Sequence, residues 1–394
     1  MNFDELINRL GIKEYPPGLE EIFYSLGEDD GSLCNVQKIK DIEERYAPLG
    51  EYIDEVISGA AEVEKSEELV LWGRLAIKYN KNVSAHEACQ FPFPESDGSK
   101  GRDTLPLLVI LDEIPSMAER YAKRGFSKDE ILAHISNIKR SLWIMGLYFG
   151  KVMLNKGHYN WLCLYTKAMI FDHKAFNFQP NVWSNNVIYL KNRKSGEIIP
   201  MMTDGCFHRC GLPLGTAGAE DTDGAFNADF VETPELYIGH VARDGKAERA
   251  ISRLLRADWE CILRPGDDVI NLHIPRDVDL SPEYVTESLR EGFELSKKYY
   301  PELNPKFIVC FSWLLSTQLP QLCGESSKIT FFNTRFLKYP FLDRGTGCLA
   351  HVFPGYQNEP VDSYPENTSL QRGIKKIMLD GGYLVAGAGI ITEL

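Results

Sequence analysis

No stretch of this chain approaches the ~20 consecutive apolar residues that a membrane-spanning helix needs. Its first residues, Met1-Asn2-Phe3-Asp4-Glu5, have neither a basic start nor an apolar core of signal-peptide length. The protein is therefore expected to be cytoplasmic, with no membrane partner. A basic excess is absent too. The formal net charge is -13, which argues against general nucleic-acid binding, because clustered Lys and Arg drive contact with phosphates. Paired cysteine clusters are missing: nine cysteines, an odd number, are scattered over 394 residues. That pattern fits reduced buried thiols better than a disulfide framework. The segment Cys206-Phe207-His208-Arg209-Cys210 looks like half of a structural zinc site. No second cysteine pair stands at a spacing that completes four ligands, so no metal is expected. Neither a Gly-Lys-Ser/Thr phosphate loop nor a strand-anchored G-x-G-x-x-G occurs, which removes the kinase and dehydrogenase readings. There is no internal repeat and no low-complexity tract.

What is present is an ordinary globular composition, 44% hydrophobic, in a chain longer than a single core usually organises. Helical periodicity is expected over residues 2–10, 17–26, 36–56, 66–80 and 105–124, with a Pro-, Gly-, Ser- and Asp-rich loop at 91–103. Ser127-Lys128-Asp129-Glu130 reads as a capping box, opening a helix through Ile131, Ile135, Ile138, Leu142 and Met145. From Asn160 the character changes. Trp161 to Tyr165 is expected to lead into strand-forming sequence at Phe176-Asn177-Phe178-Gln179, with a further strand at Asn186-Val187-Ile188-Tyr189-Leu190. These changes predict a helical domain over residues 1–150 and a second domain over 151–394. Residues 204–235 carry Gly211, Gly215, Gly218 and Gly224 with little periodicity, and are expected to form a long loop or arm.

The most informative stretch is 268–315. Val269-Ile270-Asn271-Leu272-His273-Ile274 is rich in β-branched residues, and Pro275 ends it by removing a backbone donor. Ser281-Pro282-Glu283 then has the composition of a helix start: a hydroxyl cap, Pro where a missing N–H is harmless, and an acid near the positive end of the helix dipole. Val285, Leu289 and Phe293 recur at helical spacing, and Lys306 to Phe311 reads as the next buried strand. Strand, helix, strand is a βαβ unit with parallel strands and a right-handed crossover. Downstream, a short helix is expected at 316–322, strands at 328–337 and 348–353 paired as a hairpin, a helix from Asn367-Thr368 to Asp380-Gly381-Gly382, and a closing strand at 383–392. The fold class is therefore α+β, and not a doubly wound parallel sheet.

Three passages here carry a resemblance: Asp268 to Pro275, Cys310-Phe311-Ser312-Trp313-Leu314-Leu315 with Gln318-Leu319, and Thr368-Ser369-Leu370-Gln371-Arg372. Together with the glycine pair before the last strand, they resemble a bacterial family of N-acyltransferases that places a helical N-terminal domain ahead of a GNAT-like C-terminal domain with a mixed β-sheet. The resemblance covers nearly the whole chain. It implies an acyl-CoA-dependent N-acyltransferase that moves an acyl group from acetyl-CoA or another acyl-CoA directly to the amine of a small molecule or peptide. It implies that the CoA pyrophosphate meets the segment Arg276-Asp277-Val278-Asp279-Leu280-Ser281, with Ile274, Arg276, Ser281 and Trp313 as cofactor contacts. This segment departs from the family pattern, having no glycine and two acids where a diphosphate would lie.

The residues themselves offer further candidates. His273 is the one group near neutral pKa at its strand end, so it is either the general base or a hydrogen-bonded core histidine. Cys310 and Ser312 share a strand face. Ser312 could protonate a departing thiolate, and Cys310 is a nucleophile or a buried core thiol. By the resemblance, Tyr339 is a candidate general acid, with Tyr356 and Tyr364 competing for the role and a surface or packing role open to each. Thr368, Ser369, Gln371 and Arg372 put hydroxyls, an amide and a cation at a helix start, which suits either an anionic substrate group or a cap with a salt bridge. The rival reading, which the acidic loop favours, is a non-catalytic ligand-binding protein that kept the fold.

Overall fold

The computed structural model describes residues 1–27 and 33–394. The chain separates into two compact units, Met1–Asp172 and His173–Leu394.

The first unit is helical: α1 (Phe3–Leu10), α2 (Leu19–Tyr24), α3 (Val36–Tyr46), α4 (Ile53–Val63), α5 (Glu67–Asn82), α6 (Ala85–Ala88), α7 (Lys100–Lys123), α8 (Lys128–Ile135), α9 (Asn137–Phe149) and α10 (Lys156–Thr166). Helix α7 is the centre, packed against α4, α5 and α10, and its run Leu105 to Leu111 is buried throughout. The capping box at Ser127 and Glu130 is formed. Three expectations change. The single helix expected through Ile131 to Met145 is two helices, α8 and α9, meeting at Ser136. The helix expected over 36–56 is two helices, because Ala47 turns left-handed at φ 47° and ends α3. The aromatic stretch Trp161 to Tyr165 is helical, because Asn155 caps α10 by accepting from the His158 N–H at 2.9 Å. Among the described residues no helix is long and apolar enough to cross a membrane.

The chain passes from one unit to the other within β1 (Phe171–His173). The second unit contains β2 (Phe176–Val182), β3 (Val187–Asn192), β4 (Ile198–Met202), β5 (Cys206–Phe207), β6 (Phe226–Asn227), β7 (Val231–Glu232), β8 (Leu236–Arg243), β9 (Lys246–Leu255), β10 (Trp259–Leu263) and β11 (Asp268–His273). It continues with α11 (Pro282–Tyr299), β12 (Ile308–Ser312), α12 (Leu319–Cys323), α13 (Lys328–Thr334), β13 (Phe336–Tyr339), α14 (Leu349–Val352), α15 (Ser369–Leu379) and β14 (Gly387–Ile391). One mixed sheet runs β2-β11-β12-β14-β13, and a second, antiparallel sheet runs β10-β3-β4-β8-β7 with β9 on β8. A core joins the inner faces of both: Trp183, Tyr189 and Leu263 meet Val269, Val309, Tyr339, Ala388 and Ile390. The α+β class holds.

The βαβ unit β11–α11–β12 is present, its strands parallel. Residues 328–337 are not a strand but helix α13 followed by β13. Ser327 starts the helix by accepting from the Ile329 N–H at 3.2 Å, and Phe332 is buried. Residues 348–353 are not a strand either, but the short helix α14. The expected hairpin is replaced by the pairing of β13 with β14, from Phe336↔Ile391 to Tyr339↔Ala388. In both segments tertiary packing overrides a β-prone composition.

Helix α11 seats on β2 at one close approach. A Cβ on Gly292 would lie 2.0 Å from the Phe178 ring, too near for either group to remain. Gly292→Ala is therefore expected to destabilise the protein by about 1–3 kcal/mol, measured as a lower urea midpoint at unchanged slope. An unchanged midpoint would contradict this seating.

Candidate active site

Strands β11 and β12 pair at two positions, Ile270↔Ile308 and Asn271↔Val309. Beyond these they part. Leu272 and His273 continue in register with Phe178 and Asn177 of β2, and Cys310, Phe311 and Ser312 continue with Gly389, Ala388 and Gly387 of β14. The result is a wedge, open at the carboxyl ends of two parallel strands, the position at which open sheets hold ligands. Past Asn271 and Val309 the two strands are no longer in register with each other.

Pro275 ends β11, and the loop that follows runs into α11. Asp277 stands in the left-handed region at φ 61°. Ser281, expected as a hydroxyl cap, makes no side-chain cap bond. Its hydroxyl donates to Asp279 Oδ2 at 2.8 Å and its N–H to Asp279 Oδ1 at 3.0 Å. Lys328 Nζ also meets Asp279 Oδ1, at 2.8 Å. The Lys328 and Ser281 bonds hold the Asp279 carboxyl below the ordinary carboxylate range. The two acids of this loop are thus matched by Arg276 and Lys328, and the Asp277 side chain is 71% exposed.

Three of the expected residues, from three separate segments, converge on one turn, α14. Arg276 donates to the Ala350 carbonyl at 3.3 Å. Trp313 stacks on His351, ring centroids 6.2 Å apart and planes 25° from parallel. Gln371 donates from Nε2 to the Val352 carbonyl at 3.0 Å. The turn therefore touches the exits of both splayed strands and the start of α15. Burial lowers the His351 pKa, and the nearby Arg276 charge lowers it further. His351 was hidden from sequence reasoning because its segment reads as a strand.

His273 ends β11 on the face shared with Val269 and Asn271. Its Nε2 lies 2.8 Å from Gln179 Oε1 on β2, so the bond needs the hydrogen on Nε2. Burial lowers the His273 pKa to about 4, leaving a neutral, oriented imidazole at pH 7. Gln179 was also missed, although the alternation Phe176-Asn177-Phe178-Gln179 marks a polar strip on an otherwise apolar strand.

The remaining candidates are dispersed. Ile274, next to His273, is half-buried. Ser312 caps the turn after β12 by accepting from the Leu314 N–H at 3.1 Å, and Cys310 is buried, its thiol pushed well up. Tyr339 lies in the core, edge-on to Trp183 at 5.5 Å, and burial raises its pKa. Thr368 and Gln371 form a reciprocal capping box at 3.1 Å in each direction. Arg372 donates to the Glu366 carbonyl at 2.8 Å, and Ser369 is exposed at the same helix start. Among the described residues no group of three or more His, Cys, Asp or Glu side chains is disposed to hold a metal ion.

Residues 181–391, more than half of the chain, match the family described as the GNAT-like C-terminal domain. The chain belongs to that family. Solved structures of similar fold include an acyltransferase in complex with decanoyl-CoA, 14% identical at TM-score 0.66, the match covering 99% of each chain. An acyltransferase in complex with decanoyl-CoA and teicoplanin matches with the same values. A mutant acyltransferase in complex with octanoyl-CoA matches at TM-score 0.67, again with 14% identity and 99% of each chain covered. At that identity the likeness is one of fold. No curated protein matches this chain. In the GNAT-like domain the parted strands are β11 and β12, and the loop that follows β11 leads into α11.

An unfolded histidine titrates near 6.5 and His273 in the fold near 4. Between these values the unfolded chain binds a proton that the folded chain does not. The stability this group contributes is therefore complete above about pH 6.5 and lost as the pH falls towards 4. His273→Gln, which keeps a donor for Gln179, should flatten that limb by about 1–2 kcal/mol, allowing for partial exposure. Urea unfolding at pH 4.5 and pH 7 measures it, and parallel pH dependence of the two proteins would contradict a neutral buried imidazole.

Proposed function

We propose that this protein is an acyl-CoA-dependent N-acyltransferase that transfers its acyl group directly to the amine of a small molecule or peptide. One observation carries the reading: neighbouring parallel strands that stop pairing after Asn271 and Val309, leaving two inner edges able to hydrogen-bond an extended ligand as an added strand would. The acyl-CoAs bound by the similarly folded acyltransferases support it.

The residues present fit acyl-CoA. First-turn amides of α11 lack a side-chain cap and suit a pyrophosphate, with Arg276 in the loop that leads into the helix. Ser281 ties the start of that helix to Asp279, while Ile274 and Trp313 flank the gap. When bound, the thioester supplies an activated carbonyl. His273, held by Gln179, takes the proton of the attacking amine. Its low basicity makes it a weak base and keeps it in the proton-accepting form. Ser312, whose oxygen accepts from Leu314 and whose own hydrogen is left to donate, is the group that returns a proton to the departing thiolate; Tyr339, packed in the core against Trp183, does not reach that role. Thr368 and Gln371 hold the start of α15, where Ser369 and Arg372 meet an anionic part of the acceptor. A cytoplasmic location belongs to the same proposal.

Calorimetric titration with CoA, acetyl-CoA and decanoyl-CoA is the test. Binding is expected, tightened up to about fivefold in Asp277→Asn at low salt, because one exposed charge near a phosphate is worth less than about 1 kcal/mol. No binding of any CoA at millimolar concentration would sink the reading. Binding without turnover on a panel of amines would favour the ligand-binding alternative.

A further inference from the structure

The zinc-like fragment 206–210 is locally organised. Strand β5 pairs with β6, and the chain turns tightly after it: the His208 N–H donates to the Leu212 carbonyl at 2.9 Å and the Gly211 N–H to the His208 carbonyl at 2.8 Å. Gly211 sits at φ 86°, where a Cβ would lie 2.4 Å from the Ala247 carbonyl oxygen. The turn is therefore fixed against β9 and admits no other residue there without a shift.

Three side chains line up on this turn. His208 Nδ1 lies 2.9 Å from Cys210 Sγ, and His208 Nε2 lies 3.1 Å from Asp221 Oδ2. The partners occupy opposite sides of the ring, so the three groups cannot converge on one ion. The arrangement instead has the connectivity of nucleophile, base and orienting carboxylate. Two further contacts sharpen it. The Cys210 N–H donates to His208 Nδ1 at 3.3 Å, which keeps that nitrogen as the acceptor and puts the ring hydrogen on Nε2, towards Asp221. Arg209 holds Asp221 at 3.0 Å and Asp223 at 3.0 Å. His208 is 5% exposed, whereas Cys210 is open to solvent.

The charged surroundings agree. Burial alone raises the Cys210 pKa, but His208, the Leu212 backbone and Lys246 together take it below the ordinary thiol value. Hydrogen bonding to Cys210 and Asp221 raises that of His208. Next to the turn is a cavity of about 300 Å³, lined by Leu212 and Lys246 and also by Tyr339, Phe341 and Gly387, at the lower end of the volumes that hold small ligands.

We propose that Cys210 is a thiolate nucleophile that accepts an acyl group from acyl thioesters. The Cys210 proton passes to His208 Nδ1, and Asp221 stabilises the imidazolium. Sulfur attacks the thioester carbonyl carbon. As the new C–S bond forms, the bond to the leaving thiol breaks, and the proton on Nδ1 goes to that leaving thiolate. Nothing is oxidised or reduced. This inference rests on the acyltransferase reading only for the natural donor, an acyl-CoA.

The experiment is intact-mass and peptide mass spectrometry after incubation with decanoyl-CoA and, separately, with the decanoyl thioester of N-acetylcysteamine, which needs no CoA site. A single hydroxylamine-labile adduct on Cys210 is expected, absent in Cys210→Ser and formed at least tenfold more slowly in His208→Gln. Wild-type alkylation by iodoacetamide, which does not depend on any variant folding, should stay fast at pH values where an ordinary thiol is protonated. Absence of a Cys210 adduct with both thioesters, or alkylation that follows an ordinary thiol titration, overturns the inference. Acylation by the N-acetylcysteamine ester without CoA binding supports Cys210 and removes only the CoA reading. CoA binding with no adduct from either ester does the reverse.

Discussion

The constraint on which the second unit depends is the early end of one strand pairing. β11 and β12 share two register positions and then each gives its remaining length to another neighbour, β2 on one side and β14 on the other. A sheet interior leaves few main-chain groups unpaired, because an unmet buried N–H or C=O costs about 1–3 kcal/mol. Parting strands inside a sheet is therefore a feature that the surrounding packing must maintain. Helix α11 on β2, the inter-sheet core at Val269, Val309 and Ala388, and the β13–β14 pairing hold the two halves in place. The gap follows from where each strand finds its better partner.

Around that gap the polar groups are already matched. Asp279 is held by Ser281 and Lys328, Arg276 by α14, and Gln371 by both its cap and Val352. The arrangement favours a pre-formed cleft over one assembled by ligand. His273 obeys the same rule, oriented by Gln179 and kept neutral by burial. The loop that looks hostile to an anion in the sequence is close to electrically balanced in the fold.

The β11–α11–β12 unit was legible because each signal agreed: β-branched runs, Pro275 as a stop, Pro282 at the helix start, and apolar residues at helical spacing. Where signals conflicted, reading failed. Ile329, Thr330, Phe331 and Phe332 favour a strand locally, yet Ser327 caps them into α13. Strand β9 was not visible, because Lys246–Leu255 carries Ala, Glu, Arg and Leu and is largely exposed; pairing with β8, and not composition, makes it a strand. His351 depended on identifying α14. Asp221 joins His208 and Cys210 only through the path of a glycine-rich segment that has no periodicity to follow. The family resemblance reached the fold, while the partners of each site residue came from tertiary structure.

The central claim is that acyl-CoA occupies the gap between β11 and β12. Amide hydrogen exchange with and without decanoyl-CoA tests it most directly, because the main-chain groups on those inner edges are the ones a bound ligand would protect. The account predicts slowed exchange at Leu272 to Ile274 and at Cys310 to Ser312, together with the first turn of α11. Protection confined to other segments, with these strand ends unchanged at saturating ligand, would contradict it.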